Sequence, residues 1–137
     1  MIAPTTQPER DRTEGERRKR AELATLEARR RVFVNRGRRA LLEALLERGV
    51  ADADDVRRAV ELPEGVNPVC LGSVPGLLAR AGIIERAGFT CTNRAAAHAR
   101  PVTRWRLADR LGALAWLEAN PDTPDPAPAA AEGGRGV

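Results

Sequence analysis

Apolar residues recur at helical spacing through the middle of the chain. In residues 38–48 the leucines follow a 3.6-residue period, which predicts a first core helix that Gly49 ends. Asp52 is a suitable N-cap for a second, short helix through Glu61, with Asp55 at the third position of the helix. That helix is expected to bury Val56 and Val60.

A third helix is predicted from the sequence Asn67-Pro68, because asparagine is a good N-cap and proline is tolerated at the first helical position. Its apolar positions continue to about Ala81, and Gly82 ends it. Inside this segment Pro75 would cost about 3 kcal/mol in an uninterrupted helix. We therefore expect a kink, or a one-turn preamble before a helix that begins near Ser73.

After Gly82 the pattern changes from helical to alternating, which predicts two strands. In the first, Phe89 and Cys91 share a face; in the second, residues 101–107, Trp105 and Leu107 share a face. Between them lies the small-residue sequence RAAAHAR, a loop with basic ends. The segment is a predicted β-hairpin with Trp105 as a core anchor, and a last helix is expected over 108–118.

The two ends of the chain differ from this middle. Residues 16–34 combine good helix formers and many arginines with a thin apolar stripe, and Asn35 to Gly37 is predicted to break or bend the chain. From residue 120 onward the sequence is rich in Pro, Ala and Gly, which predicts disorder. We therefore divide the chain into an Arg-rich, partly helical N-terminal arm (1–34), a folded domain (35–119) and a disordered tail (120–137).

The predicted order is helix, helix, helix, β-hairpin, helix. This is the plan of a mainly α winged helix-turn-helix domain, in which the second and third helices form the helix-turn-helix and the hairpin is the wing. The composition agrees, since 42% of residues are apolar but only two Phe and two Trp are aromatic. No apolar run approaches the ~20 residues that span a bilayer, and no signal peptide is evident. We expect a cytoplasmic protein without membrane association.

The stretch from Asn67 to Trp105 resembles small winged-helix proteins of bacteriophages and prophages. The resemblance rests on Leu71-Gly72, on the helix end LARAGII at 78–84, and on wing residues Thr92-Asn93-Arg94, His98-Ala99-Arg100-Pro101-Val102 and Trp105. The sequence departs from that group at Val74-Pro75-Gly76, where bulky helix formers are usual. The resemblance implies a DNA-binding or regulatory role and no enzymatic activity.

Charge is distributed in blocks, although the net charge is only +4. Residues 1–40 contain twelve Arg or Lys against six Asp or Glu, residues 41–79 contain three against seven, and residues 80–110 contain seven against two. Two basic blocks beside a winged-helix plan favour binding to DNA, mostly through phosphates. The candidate contacts are, in the third helix, Asn67, Ser73 and Arg80; in the wing, Arg94, His98, Arg100 and Arg104; and in the arm, Arg18, Lys19 and Arg20.

Catalytic and metal chemistry finds little support in the sequence. Cys70, Cys91 and His98 lack the paired spacing of zinc ligands, and His98 has no nucleophile or carboxylate at a telling spacing. We expect no enzyme, no metal, no cofactor and no small-molecule substrate, but a phage-type regulator or replication accessory that binds double-stranded DNA. The alternative is a protein-interaction winged helix, an adaptor or dimerisation module in which the N-terminal helix could pair with a second copy.

Overall fold

The computed structural model describes residues 7–91 and 100–127, with side chains over 12–90 and 100–127. Its backbone contacts divide the chain into two units, residues 30–125 and residues 1–29 with 126–137. Arg94 and His98 of the predicted wing lie outside the described residues.

The first helix, α1, runs from Gln7 to Arg48 without interruption. The expected break at Asn35 to Gly37 is therefore wrong. Gly37 is buried, and a Cβ atom at this position would lie only 2.6 Å from Cγ2 of Val74. Its lack of a side chain permits close packing of α1 on the following segments, which offsets the ~1 kcal/mol that glycine costs inside a helix.

A short strand that the sequence pattern did not predict separates α1 from the next helix. Gly49 ends α1 in the left-handed region (φ 86°), and strand β1 (Val50–Asp52) follows. Helix α2 (Ala53–Ala59) has the expected capping box, in which Asp52 accepts from the backbone N–H of Asp54 and Asp55 while Asp55 accepts from that of Asp52. The helix ends two residues earlier than predicted, at Ala59.

The third predicted helix consists of two segments. This corresponds to the second alternative, a short preamble before a helix that begins near Ser73, and not to a kink. A 3₁₀ helix (Pro68–Ser73) precedes helix α3 (Val74–Arg80), and Pro75 lies in the first turn of α3, where its missing N–H removes no helical bond. From α1, the Arg38 guanidinium donates to the carbonyl oxygens of Ser73 (3.0 Å) and Val74 (3.1 Å). Arg38 thus fixes the junction of the two segments.

Strands β2 (Ile84–Cys91) and β3 (Pro101–Leu107) form the predicted hairpin ladder, and β3 covers the predicted residues 101–107. The sheet is antiparallel with the order β1-β3-β2, so β3 is central. Residues opposite each other include Ala51 with Trp105 and Ile84 with Leu107. Trp105 and Leu107 pack partly buried against the core, which confirms their predicted shared face.

Helix α4 (Arg110–Ala119) closes the domain, and the residues after it contact α1. Arg39 donates to the carbonyl oxygens of Leu117 (2.8 Å) and Asn120 (2.9 Å). Arg36 donates to the Asp122 carboxylate (2.8 Å) and the Thr123 carbonyl oxygen (2.9 Å). The first residues of the segment expected to be disordered therefore hold defined contacts, because α1 supplies donors for their carbonyl groups.

Replacing Arg39 by alanine is expected to lower the free energy of unfolding by about 1–3 kcal/mol, because carbonyl oxygens at the end of α4 lose a charged donor. Denaturant unfolding of the full chain measures this. The control is Glu43→Ala, which removes only an exposed ion pair with Arg39 at 3.6 Å and should cost less than about 0.5 kcal/mol. Equal losses in the two variants would assign the effect to the ion pair instead.

The fold is mainly helical with a small three-stranded antiparallel sheet, compatible with an α plus β, winged-helix-like arrangement. Its core forms where α1, α3 and the sheet meet; the most deeply buried large side chains are Phe33, Leu41, Leu42, Leu45, Val74 and Leu78. Among the described residues, no helix is long and apolar enough to cross a membrane.

Candidate nucleic-acid interface

The candidate residues of the third helical segment are exposed, but two of them are engaged with the backbone. Asn67 accepts from the Val69 N–H (3.0 Å) as N-cap of the 3₁₀ helix, and the Ser73 hydroxyl donates to the Cys70 carbonyl oxygen (2.9 Å). Val69, a neighbour of these residues on the same surface, adds an apolar side chain that is 75% exposed. This surface offers few donors to base edges.

Arg80, at the end of α3, is the remaining candidate there. Its guanidinium lies over Gly76, where an added Cβ would be 3.2 Å from Nη1 of Arg80. Burial, and then the positive charge of Arg80, lower the pKa of the Arg38 guanidinium. Two cations near one helix, with no acid paired to either among the described residues, make this a place where an anion would be stabilised.

In the hairpin, the described candidates are Arg100 and Arg104. Arg100 is exposed just before β3, and Arg104 is half-buried on β3 opposite Asp52 of β1. Neither forms an ion pair with a residue in the described ranges 7–91 and 100–127. The nearby Arg106 differs, because its guanidinium is 2.8 Å from the Glu85 carboxylate.

A β-bulge in β2 brings two further residues to this hairpin that the sequence analysis did not select. Arg86 lies opposite Trp105 and Phe89 lies opposite Thr103, so two β2 residues, Ala87 and Gly88, face a single β3 residue. Gly88 has a φ of 90°. The extra residue places Phe89 on the same sheet face as Arg86, where it is 68% exposed. The signal in the sequence was a glycine inside an alternating strand pattern.

Partners within the fold sort the arginines into two groups. Those paired with described acids or carbonyl groups are Arg17, Arg36, Arg38, Arg39, Arg48, Arg58 and Arg106. Those of residues 50–127 with no such partner among the described residues are Arg57, Arg80, Arg86, Arg100, Arg104 and Arg110. Most of the second group belongs to the end of α3 and to the hairpin.

The arm candidates Arg18, Lys19 and Arg20 are exposed on the part of α1 that belongs to residues 1–29. One neighbour, Arg17, is 3.6 Å from the Glu14 carboxylate. Leu23 and Leu26 of the same helix are 60% and 51% exposed. This unit therefore presents a mixed surface of charges and isolated leucines.

The described residues hold no group of three His, Cys, Asp or Glu side chains placed to bind a metal ion. The Cys70 thiol is buried, and burial raises its pKa. One small, partly open pocket, lined by residues that include Leu41, Val56 and Trp105, has a volume of about 50 Å³. That volume has room for water.

Among the described residues, the hairpin and the end of α3 thus present arginines without an acidic partner and one exposed aromatic ring, that of Phe89. No protein-family model, curated protein or solved structure matches this chain.

Proposed function

We propose that this chain is a winged-helix protein that binds double-stranded DNA, as a regulator or replication accessory similar to those of phages and prophages. The helix-turn-helix would comprise α2, the 3₁₀ helix and α3, and the wing would be the hairpin of β2 and β3. The observation that carries the proposal is the sorting of the arginines. Arg80 at the end of α3 and Arg86, Arg100 and Arg104 of the hairpin have no partner among the described residues, although Arg106 of the hairpin is paired with Glu85. In α1 and α2, by contrast, the fold binds Arg36, Arg38, Arg39, Arg48 and Arg58.

The contacts we propose are mainly to phosphates. The proposed phosphate contacts come from exposed or half-exposed cations that have no neighbouring side chain suited to reading base edges. They are Arg100 and Arg104 in the wing, Arg80 at the end of α3, and Arg18, Lys19 and Arg20 in the arm. Phosphate contacts position a protein on DNA, whereas base contacts specify a sequence. With Asn67 and Ser73 engaged by the backbone, sequence preference would depend on the wing and on DNA shape.

Removing Arg100 and Arg104 together is expected to weaken DNA binding about tenfold or more and to lower the slope of log affinity against log salt by about two units, one for each phosphate contact. The matched control is Arg48→Ala with Arg58→Ala, which lowers the net charge equally but removes arginines already paired with Asp55. Both pairs are titrated on one duplex at several salt concentrations. Equal weakening would mean that net charge alone attracts DNA.

The second candidate is a protein-interaction winged helix, which the exposure of Val69 (75%) and Leu77 (38%) on the third helical segment favours. The same titration separates the two functions. If the unaltered chain binds no duplex at low salt, the DNA proposal fails and the apolar surface becomes the site to study.

A further inference from the structure

Helix α4 has two apolar faces, of which the core covers one. Ala113 is fully buried, and Trp116 and Leu117 pack against the core. On the other side Leu111 and Leu114, three residues apart, are 78% and 45% exposed. Leu111 is the most exposed of the large apolar side chains in the described residues. The two leucines thus form a small exposed apolar surface on the outer side of α4.

The charges of this outer face are arranged against the dipole of their own helix. Arg110 occupies the first position of α4, where the positive end of the helix disfavours a cation, and Glu118 lies in the last turn, where an anion is disfavoured. They are eight positions apart, about 12 Å along the axis, so they cannot pair with each other. Both are exposed, and neither pairs with a described residue.

We propose that a second copy of this chain docks on α4, with the two α4 helices antiparallel about a twofold axis. Antiparallel pairing places Arg110 beside Glu118 of the partner subunit, and the same contact recurs by symmetry. Each charge then lies near the end of the neighbouring helix that its sign favours. Leu114 stands near the axis and packs on the partner's Leu114, with Leu111 beside it.

The scale of this contact makes the dimer weak. A helix of ten residues is about 15 Å long, and its outer face is much smaller than the ~800 Å² per partner of a standard stable interface. We therefore infer a concentration-dependent dimer. This inference does not rest on DNA binding, and its test uses no DNA.

The test is sedimentation equilibrium of the full chain over a wide concentration range at low salt. The unaltered protein is expected to shift from monomer to dimer. Either single charge reversal, Arg110→Glu or Glu118→Arg, should raise the dimer dissociation constant about tenfold or more. Each reversal gives positions 110 and 118 the same charge, so the two symmetry-related contacts between them both become repulsive. Both reversals are favourable for the dipole of α4 itself, so loss of the dimer would not reflect loss of the fold.

Complementation makes the test specific for antiparallel α4. The two single variants carry opposite charges on this face, so an equimolar mixture of them should form a heterodimer that neither forms alone. The double reversal should restore the homodimer, and Leu114→Arg should abolish it. A protein that stays monomeric at all concentrations, or a dimer that Leu114→Arg or the single reversals leave unchanged, would overturn the proposal.

Discussion

Replacing Trp105 by alanine is expected to lower the free energy of unfolding by about 2–4 kcal/mol, which is roughly 10–20 °C in Tm for a domain of this size. Trp105 is on the central strand, packs against the core and lines the small pocket with Leu41 and Val74. Since the ring is half-buried, the loss should be below that of a fully buried tryptophan. Thermal and denaturant unfolding measure it.

The control is Phe89→Ala, which removes the other large ring from the same sheet face of the hairpin. Because Phe89 is 68% exposed, its loss should change stability by no more than about 0.5 kcal/mol. If the hairpin binds DNA as proposed, Trp105→Ala should weaken binding only in proportion to unfolding, because the ring packs against the core. A Trp105→Ala protein that melts normally but no longer binds DNA would show that Trp105 contacts DNA and is not a core anchor.

Replacing Gly37 by alanine is expected to lower the free energy of unfolding by about 1–3 kcal/mol, although alanine is the better helix former. The new methyl group would lie 2.6 Å from Cγ2 of Val74 and 3.2 Å from Cδ2 of Leu71. Val74 is 1% exposed and part of the core, so it has little room to move. The chain must separate α1 from the 3₁₀ helix and α3, or force Val74 from its rotamer.

The matched control is Gly15→Ala in the same helix. Nothing lies within 4 Å of a Cβ at position 15, so only the helix-propensity gain of up to about 1 kcal/mol remains. Circular dichroism should show equal or higher helicity for Gly15→Ala and a lower Tm for Gly37→Ala. An unchanged or higher Tm for Gly37→Ala would show that the α1 packing is looser than these distances indicate.

Local signals in the sequence predicted much of this fold. The capping box at Asp52 and Asp55, the left-handed glycines Gly49 and Gly82, and the alternation over 101–107 depend on neighbouring residues, and the structure contains each of them. Pro75 also indicated either a kink or a preamble to the third helix, since the cost of proline in a helix interior is local, and the structure has the preamble.

The sequence pattern failed to predict features that depend on residues distant along the chain. The helix continues through Gly37 because Val74 and Leu71 pack against it, and β1 exists because three residues find a partner on β3. No periodicity within 50–52 can reveal such a short strand. In the candidate interface, the sequence indicated which segments are basic, but not which arginines the fold uses. Arg36 and Arg106 are paired with Asp122 and Glu85, whereas Arg104 has no acidic partner among the described residues.

The central place of β3 in the sheet has a consequence for how the chain folds as it is synthesised. Val50 of β1 pairs with Arg106, so β1 leaves the ribosome more than fifty residues before its partner strand. At ordinary elongation rates of about 5–20 residues per second, that interval lasts several seconds. During it, the apolar face of α1, with Leu41 and Leu45, has no sheet to cover it. Nascent chains stalled between Asp52 and Leu107 should be the form of this protein most open to chaperones and to aggregation.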